Sequence, residues 1–123
     1  MKPTLLLVED HPEALEQLTR ALDHDFDIVA TATTGAEAVA MCEKHQPGLV
    51  LMDLVMPKMS GLDATRLILA RVRPNPRIVI LSGLDQEEVA VSAIEAGAHD
   101  YLVKPTSLET IREALLNVLK KAA

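Results

Sequence analysis

Asp53 closes an apolar run and opens a turn, in Leu49-Val50-Leu51-Met52-Asp53-Leu54-Val55-Met56-Pro57. A carboxylate at the end of a fully apolar strand stands on a rigid base yet reaches solvent, which suits a nucleophile. Glu9 and Asp10 end an earlier run, Leu5-Leu6-Leu7-Val8, in the same way. Ser82 ends a third, Arg77-Ile78-Val79-Ile80-Leu81, and Lys104 a fourth, Tyr101-Leu102-Val103. If these strands are parallel neighbours, acids, hydroxyl and ammonium converge on one edge of one sheet. Such a cluster could hold a divalent metal beside a phosphoryl group. Each residue also has an ordinary reading. Aspartate commonly forms turns after strands, Glu9 and Asp10 could cap a helix at Pro12, and Tyr101 could cover core with a wet hydroxyl. The combination carries the argument.

The elements that must position these groups are legible from periodicity. Five apolar, β-prone runs alternate with five segments of helical period. Strands are expected over Thr4 to Val8, Asp27 to Thr31, Gly48 to Met52, Arg77 to Leu81 and Tyr101 to Val103. The second is the least apolar and is a candidate edge strand. The third is apolar at every position after the glycine, as a strand covered on both faces should be. Pro12 suits the first position of a helix with a stripe of Leu15, Leu18, Ala21 and Leu22. Thr34 can cap a second helix carrying Ala38, Val39, Met41 and Cys42 and stopping near Gln46-Pro47. Helices follow over Leu62 to Val72 and from about Gln86 to Ala96, with Gly97 as the residue after the cap. Ser107 caps a last helix reaching about Lys120. Strict alternation implies right-handed crossovers and a parallel sheet with helices on both faces. In such sheets ligands bind beyond the carboxyl ends of the strands, where Glu9, Asp10, Asp53, Ser82 and Lys104 all lie.

Composition narrows the function classes. The chain has 123 residues, enough for one domain with one substantial core. Twelve basic against 18 acidic residues give a net charge of -6, which argues against binding a nucleic-acid backbone and favours cations in an acidic cleft. The core must be aliphatic, since Phe26 and Tyr101 are the aromatic residues. Cys42 has no partner for an internal disulfide and follows Val39 at helical spacing, the pattern of a buried core residue. No signal peptide opens the chain, and no run approaches the roughly 20 apolar residues of a membrane span. A cytoplasmic location is expected. His11, His24, His45 and His99 show no metal-ligand spacing and are expected at the surface; Asp63 and Asp85 read as helix-start residues.

Five markers in order now become meaningful: Val8-Glu9-Asp10, the Asp53 loop through Pro57 and Gly61, Leu81-Ser82, Ala96-Gly97-Ala98, and Tyr101-Leu102-Val103-Lys104-Pro105. With these the whole chain resembles a response-regulator receiver domain, the phosphoacceptor module of bacterial two-component signalling. The resemblance implies a (βα)5 flavodoxin-like fold with strand order 2-1-3-4-5, one receiver domain over residues 1–123, and any output domain outside this chain. It implies that Asp53 takes a phosphoryl group from a histidine kinase, a phosphotransfer protein or a small acyl phosphate. Mg2+ (or Mn2+) would be held by Asp10, Asp53 and the backbone carbonyl of Val55, with Glu9 acting through water. Lys104 would pair with Asp53 at rest and with the phosphate afterwards. Ser82 would donate to a second phosphate oxygen, and Gly83 would keep the approach open. Lys104-Pro105 resembles a pair joined by a cis bond in the family. Ser82 and Tyr101 would form the switch, altering the face made by the fourth helix, fifth strand and fifth helix. That face is also a possible homodimer surface.

Rival readings are a flavodoxin-like ligand-binding module, an acyl-phosphate hydrolase, and a degenerate receiver acting by protein contact alone. The first lacks a glycine-rich phosphate loop and an aromatic platform. The second lacks a carboxylate beside Asp53, which is followed by Leu54 and Val55. The third shares the fold and remains the alternative. Glu9-Asp10 stands where the family often has two aspartates. Val55 occupies a position that tunes phosphate lifetime. Subfamily features are mixed: His11-Pro12 and Gly61 to Arg66 resemble regulators with a helix-turn-helix output domain, whereas His99-Asp100-Tyr101 resembles another group.

Overall fold

The computed structural model describes residues 1–120; the last three positions of the expected domain lie outside the described residues. The strands are β1 (Thr4–Val8), β2 (Asp27–Ala32), β3 (Leu49–Met52), β4 (Arg77–Ser82) and β5 (Asp100–Val103). They alternate with α1 (Pro12–Leu22), α2 (Gly35–His45), α3 (Gly61–Arg71), α4 (Glu87–Glu95) and α5 (Leu108–Lys120). All strand pairs are parallel, in the order β2-β1-β3-β4-β5. The expected doubly wound architecture is therefore present, with β2 at an edge. β4 runs one residue further than the expected Leu81, so Ser82 is the last residue of the strand.

The period-two rule of a strand divides the core. Leu6, Val8, Val50, Met52, Ile78 and Ile80 face one side, where Ala38, Val39 and Cys42 of α2, Ala64 and Ile68 of α3 and Ala93 of α4 meet them. Leu5, Leu7, Leu49, Leu51, Val79 and Leu81 face the other, against Leu22, Phe26, and Ile111, Ala114, Leu115 and Val118 of α5. Burial on both faces explains the uninterrupted apolar runs. Cys42 is fully buried, and burial pushes its thiol up to about 12, so it is a packing residue.

Local signals set the element ends. Thr34 Oγ1 accepts from Glu37 N at 3.1 Å while Glu37 Oε1 accepts from Thr33 N at 2.8 Å, close to a reciprocal capping box. Ser60 Oγ accepts from Asp63 N, and Ser107 Oγ from Thr110 N. Gly97, at φ 112°, terminates α4 in a conformation that a side chain would strain. Asp10 and Glu9 do not cap α1, the ordinary alternative role open to them. Its N-cap is His11, whose side chain makes no capping bond, and Pro12 occupies the first turn.

Candidate functional site

Parallel register brings the strand ends together. Val8 pairs with Met52, Met52 with Ile80, and Ser82 with Val103, so the residues that follow emerge on one edge. The backbone pins the positions: Asp53 N donates to Val8 O at 3.1 Å, Glu9 N to Ala32 O at 3.0 Å, and Lys104 N to Ser82 O at 2.8 Å. Gly61 N donates to Leu54 O at 2.9 Å, which folds the Asp53 loop onto the start of α3. A Cβ on Gly61 would strike the Asp53 carbonyl oxygen and come within 2.9 Å of Leu54 Cα. Glycine is required by that approach.

The acids form a real cluster. One ligand atom from each of Glu9, Asp10, His11 and Asp53 can be chosen so that all lie within 4.8 Å of one another. Asp10, His11, Asp53, Val55, Gly83, Leu84 and Lys104 line an open cavity of about 410 Å³ at this edge. Lys104 Nζ donates to Glu9 Oε1 at 2.9 Å and lies 3.7 Å from Asp53 Oδ2. The expected resting pair with Asp53 is thus the weaker contact, and Glu9 is the ammonium's main partner. Glu9 is only 2% exposed, so its charge must be matched nearby, whereas Asp53 is also bonded by Val55 N at 3.3 Å.

The electrostatics follow from this arrangement. Burial alone would raise the Glu9 pKa, but hydrogen bonds from Lys104 and His11 outweigh it and hold the group at about 2. Burial raises the Asp53 pKa, with the Glu9 charge adding to the rise and the Lys104 charge opposing it. Burial would lower the Lys104 pKa, yet the Glu9 hydrogen bond and the Asp53 charge leave it raised. His11 is raised by its hydrogen bond to Glu9 and by the Asp10 charge.

The donor set suits a hard divalent cation. Three carboxylates face one ammonium, and Asp10 Oδ1 is buried with no hydrogen bond among the described residues, approached only by His11 Nδ1 at 3.1 Å. A buried acceptor left unbonded is costly, and a cation would supply what it lacks. Asp10 and Asp53 fit as ligands. Glu9, held by Lys104, fits a supporting role.

The remaining expected residues are distributed as follows. Ser82 is fully buried, and its Oγ accepts from Leu84 N at 3.2 Å. Tyr101 is half-buried against the α2–α3–α4 side of the core, and its hydroxyl donates to Leu84 O at 2.6 Å. Leu84 therefore links both expected switch residues through its backbone. Gly83 has open space around it: an added Cβ would meet nothing within 4 Å. Val55 is exposed at the cavity rim. The Lys104-Pro105 bond is cis, as expected. His11 is exposed, as expected of a surface residue, but it also reaches the site: its Nδ1 lies 3.1 Å from Glu9 Oε2 and 3.1 Å from Asp10 Oδ1. The available signal was its place directly after two strand-end acids. His24 and His45 are exposed, and His99 Nδ1 accepts from Ile78 N at 3.0 Å, away from the pocket.

Fold and pocket together define a doubly wound parallel α/β domain with an acid–lysine site at the carboxyl edge of its sheet. Residues 5–116 match the model of the response regulator receiver domain, and the chain belongs to that family. It is 38% identical to the chemotaxis protein CheY of Thermotoga maritima over 95 residues, covering 77% of this chain and 78% of that one. It is 32% identical over 124 residues to the transcriptional regulatory protein DegU of Brevibacillus brevis, covering 99% of this chain and 52% of DegU. Among solved structures, it superposes on the CheX–CheY–BeF3–Mg2+ complex from Borrelia burgdorferi with a TM-score of 0.89 and 29% identity, covering 96% of this chain and 90% of that chain.

Proposed function

We propose that this receiver domain is a phosphoacceptor switch in which Asp53 takes a phosphoryl group from a phosphohistidine or a small acyl phosphate. The observation that carries the reading is the convergence of Asp10, Asp53 and Lys104 on one cavity, with Asp53 on a rigid strand end. An ionised Asp53 oxygen attacks phosphorus, the new O–P bond forms, and the donor's P–N or P–O bond breaks, with the leaving group keeping the electron pair. Such transfer asks a protein mainly for positioning and charge neutralisation. Lys104 supplies one positive charge, already held beside the attacking carboxylate at 3.7 Å. Mg2+ (or Mn2+), held by Asp10, Asp53 and the Val55 carbonyl, would neutralise phosphoryl oxygens when bound.

Readout runs through Leu84. The incoming phosphoryl group adds about two negative charges and draws the Ser82 hydroxyl away from Leu84 N. Tyr101, bonded to Leu84 O, then follows the same loop, and the α4–β5–α5 face changes. We assign that face to partners: an output domain outside this chain, or a second copy. A sensor histidine kinase or phosphotransfer protein donates the phosphoryl group. The domain acts as a cytoplasmic signalling switch rather than an enzyme, and does not itself bind nucleic acid. No helix among the described residues is long and apolar enough to cross a membrane.

The test is intact mass after incubation with acetyl phosphate. One phosphoryl adduct that requires a divalent cation and disappears in Asp53→Asn supports the reading. Equal incorporation in Asp53→Asn, or labelling that survives EDTA, contradicts it. Absence of any adduct even with a phosphorylated kinase would leave the degenerate receiver as the function.

A further inference from the structure

His11 is the one member of the pocket that neither the phosphoryl chemistry nor the fold requires. Its side chain does not cap α1, so its imidazole is free of that structural duty. Its backbone N–H donates to Glu9 Oε2 at 3.3 Å, which curls the turn back over the acids. Nδ1 then lies between two acids, hydrogen-bonded to Glu9 Oε2 at 3.1 Å and 3.1 Å from Asp10 Oδ1, a buried oxygen with no hydrogen bond among the described residues. In an octahedral shell with bonds of about 2.1 Å, neighbouring donors sit about 3.0 Å apart and opposite donors about 4.2 Å apart. The Asp10–His11 spacing is therefore that of an octahedral edge. The 4.8 Å span of the four donors exceeds the opposite-donor distance by little, and small side-chain rotations would close it. Lys104 occupies Glu9 Oε1, while Glu9 Oε2 is held by His11 N and Nδ1, so a cation bound here takes the place of the proton between the imidazole and the acids.

We propose that His11 is a ring-nitrogen ligand beside Asp10 and Asp53, biasing this pocket toward first-row transition cations over Mg2+. This rests on the metal site assigned under the proposed function. An all-oxygen site suits Mg2+, which dehydrates reluctantly and prefers hard donors. Replacing one oxygen or water by imidazole favours Fe2+, Co2+ or Ni2+, for which nitrogen is a better donor. His11 is 74% exposed on its side chain, so it can be substituted or rotated without opening the core.

Isothermal titration calorimetry at fixed neutral pH, with Mg2+ and Co2+ as probes, separates the cases. It is run on the native chain, His11→Ala, His11→Gln and Asp10→Asn. Removing even an outer-shell partner of a metal ligand typically costs 10–100-fold in affinity. The expected result is that His11→Ala lowers the Co2+ to Mg2+ affinity ratio about tenfold. His11→Gln should keep Mg2+ binding but not restore that ratio. Asp10→Asn should weaken both cations. An unchanged ratio in His11→Ala, with Asp10→Asn still weakening both, overturns the His11 assignment and leaves the metal site standing. Tighter Mg2+ binding in His11→Ala also overturns it, since the imidazole would then be a competitor for the acids. If Asp10→Asn weakens neither cation, the metal site itself falls.

Discussion

At the scale of single residues, Asp53 is placed where its own ionisation opposes the fold. Burial raises its pKa above the ordinary 3.8, and the Glu9 charge adds to that rise. A carboxyl group whose folded pKa is raised contributes most to stability below its unfolded pKa, and that contribution is lost as pH rises through the folded value. At neutral pH the ionised Asp53 is therefore a cost. Asp53→Asn is expected to stabilise the metal-free protein by about 1 kcal/mol at pH 7, as substitutions at strained functional sites often do. Thermal unfolding checks this, and the gain should vanish below about pH 4, where both states hold the proton. For the same reason, labelling of the native chain should fall on acidification before an ordinary aspartate would protonate. Asp53, Asp10, Ser82 and Lys104 were legible as a set because each ends an apolar strand. The partner of Lys104 was not. Periodicity places residues on an edge, whereas choosing Glu9 over Asp53 is a matter of an ångström, 2.9 against 3.7 Å. The place of His11 was not legible because no ligand spacing along the chain marks it, whereas a turn makes neighbours of consecutive residues.

At the scale of elements, the site depends on how closely α3 approaches the Asp53 loop. Gly61→Ala would force a Cβ into the Asp53 carbonyl and Leu54, both backbone. Overpacking of this kind costs about 1–3 kcal/mol. We expect that loss in denaturant unfolding, together with slower phosphoryl incorporation because Asp53 moves with its loop. Normal stability and normal labelling would show that the loop yields freely. Element limits were largely readable from chemistry that acts locally. Thr34, Ser60 and Ser107 accept from helix N–H groups, and Gly97 adopts the positive φ expected of its position. The capping role considered for Asp10 was not realised, because His11 and Pro12 already start α1 and the Asp10 carboxylate turns into the pocket.

At the scale of the whole molecule, alternation of apolar runs with helical periods was sufficient for the class of fold. The strand order came from family resemblance, since periodicity does not choose between crossovers. The result is a two-sided core whose buried carboxylates, Glu9 and Asp53, both lie at one edge, beside Asp10 and a single ammonium. Filling that edge with a cation should stabilise the entire domain. Mg2+ at 100 times its dissociation constant should add about 2.7 kcal/mol by mass action. A thermal shift should show it in the native chain and lose most of it in Asp10→Asn; an equal shift in both would place the cation elsewhere.

The central claim is that Asp53 itself carries the phosphoryl group, and reductive trapping tests it most directly. Borohydride attacks an acyl phosphate and converts its carbonyl carbon to an alcohol, leaving a stable mark on the side chain. After labelling with acetyl phosphate and Mg2+, peptide mapping should find that mark at Asp53 and at no other acid. The mark on Glu9 or Asp10, or its persistence in a chain bearing Asp53→Asn, would contradict the account.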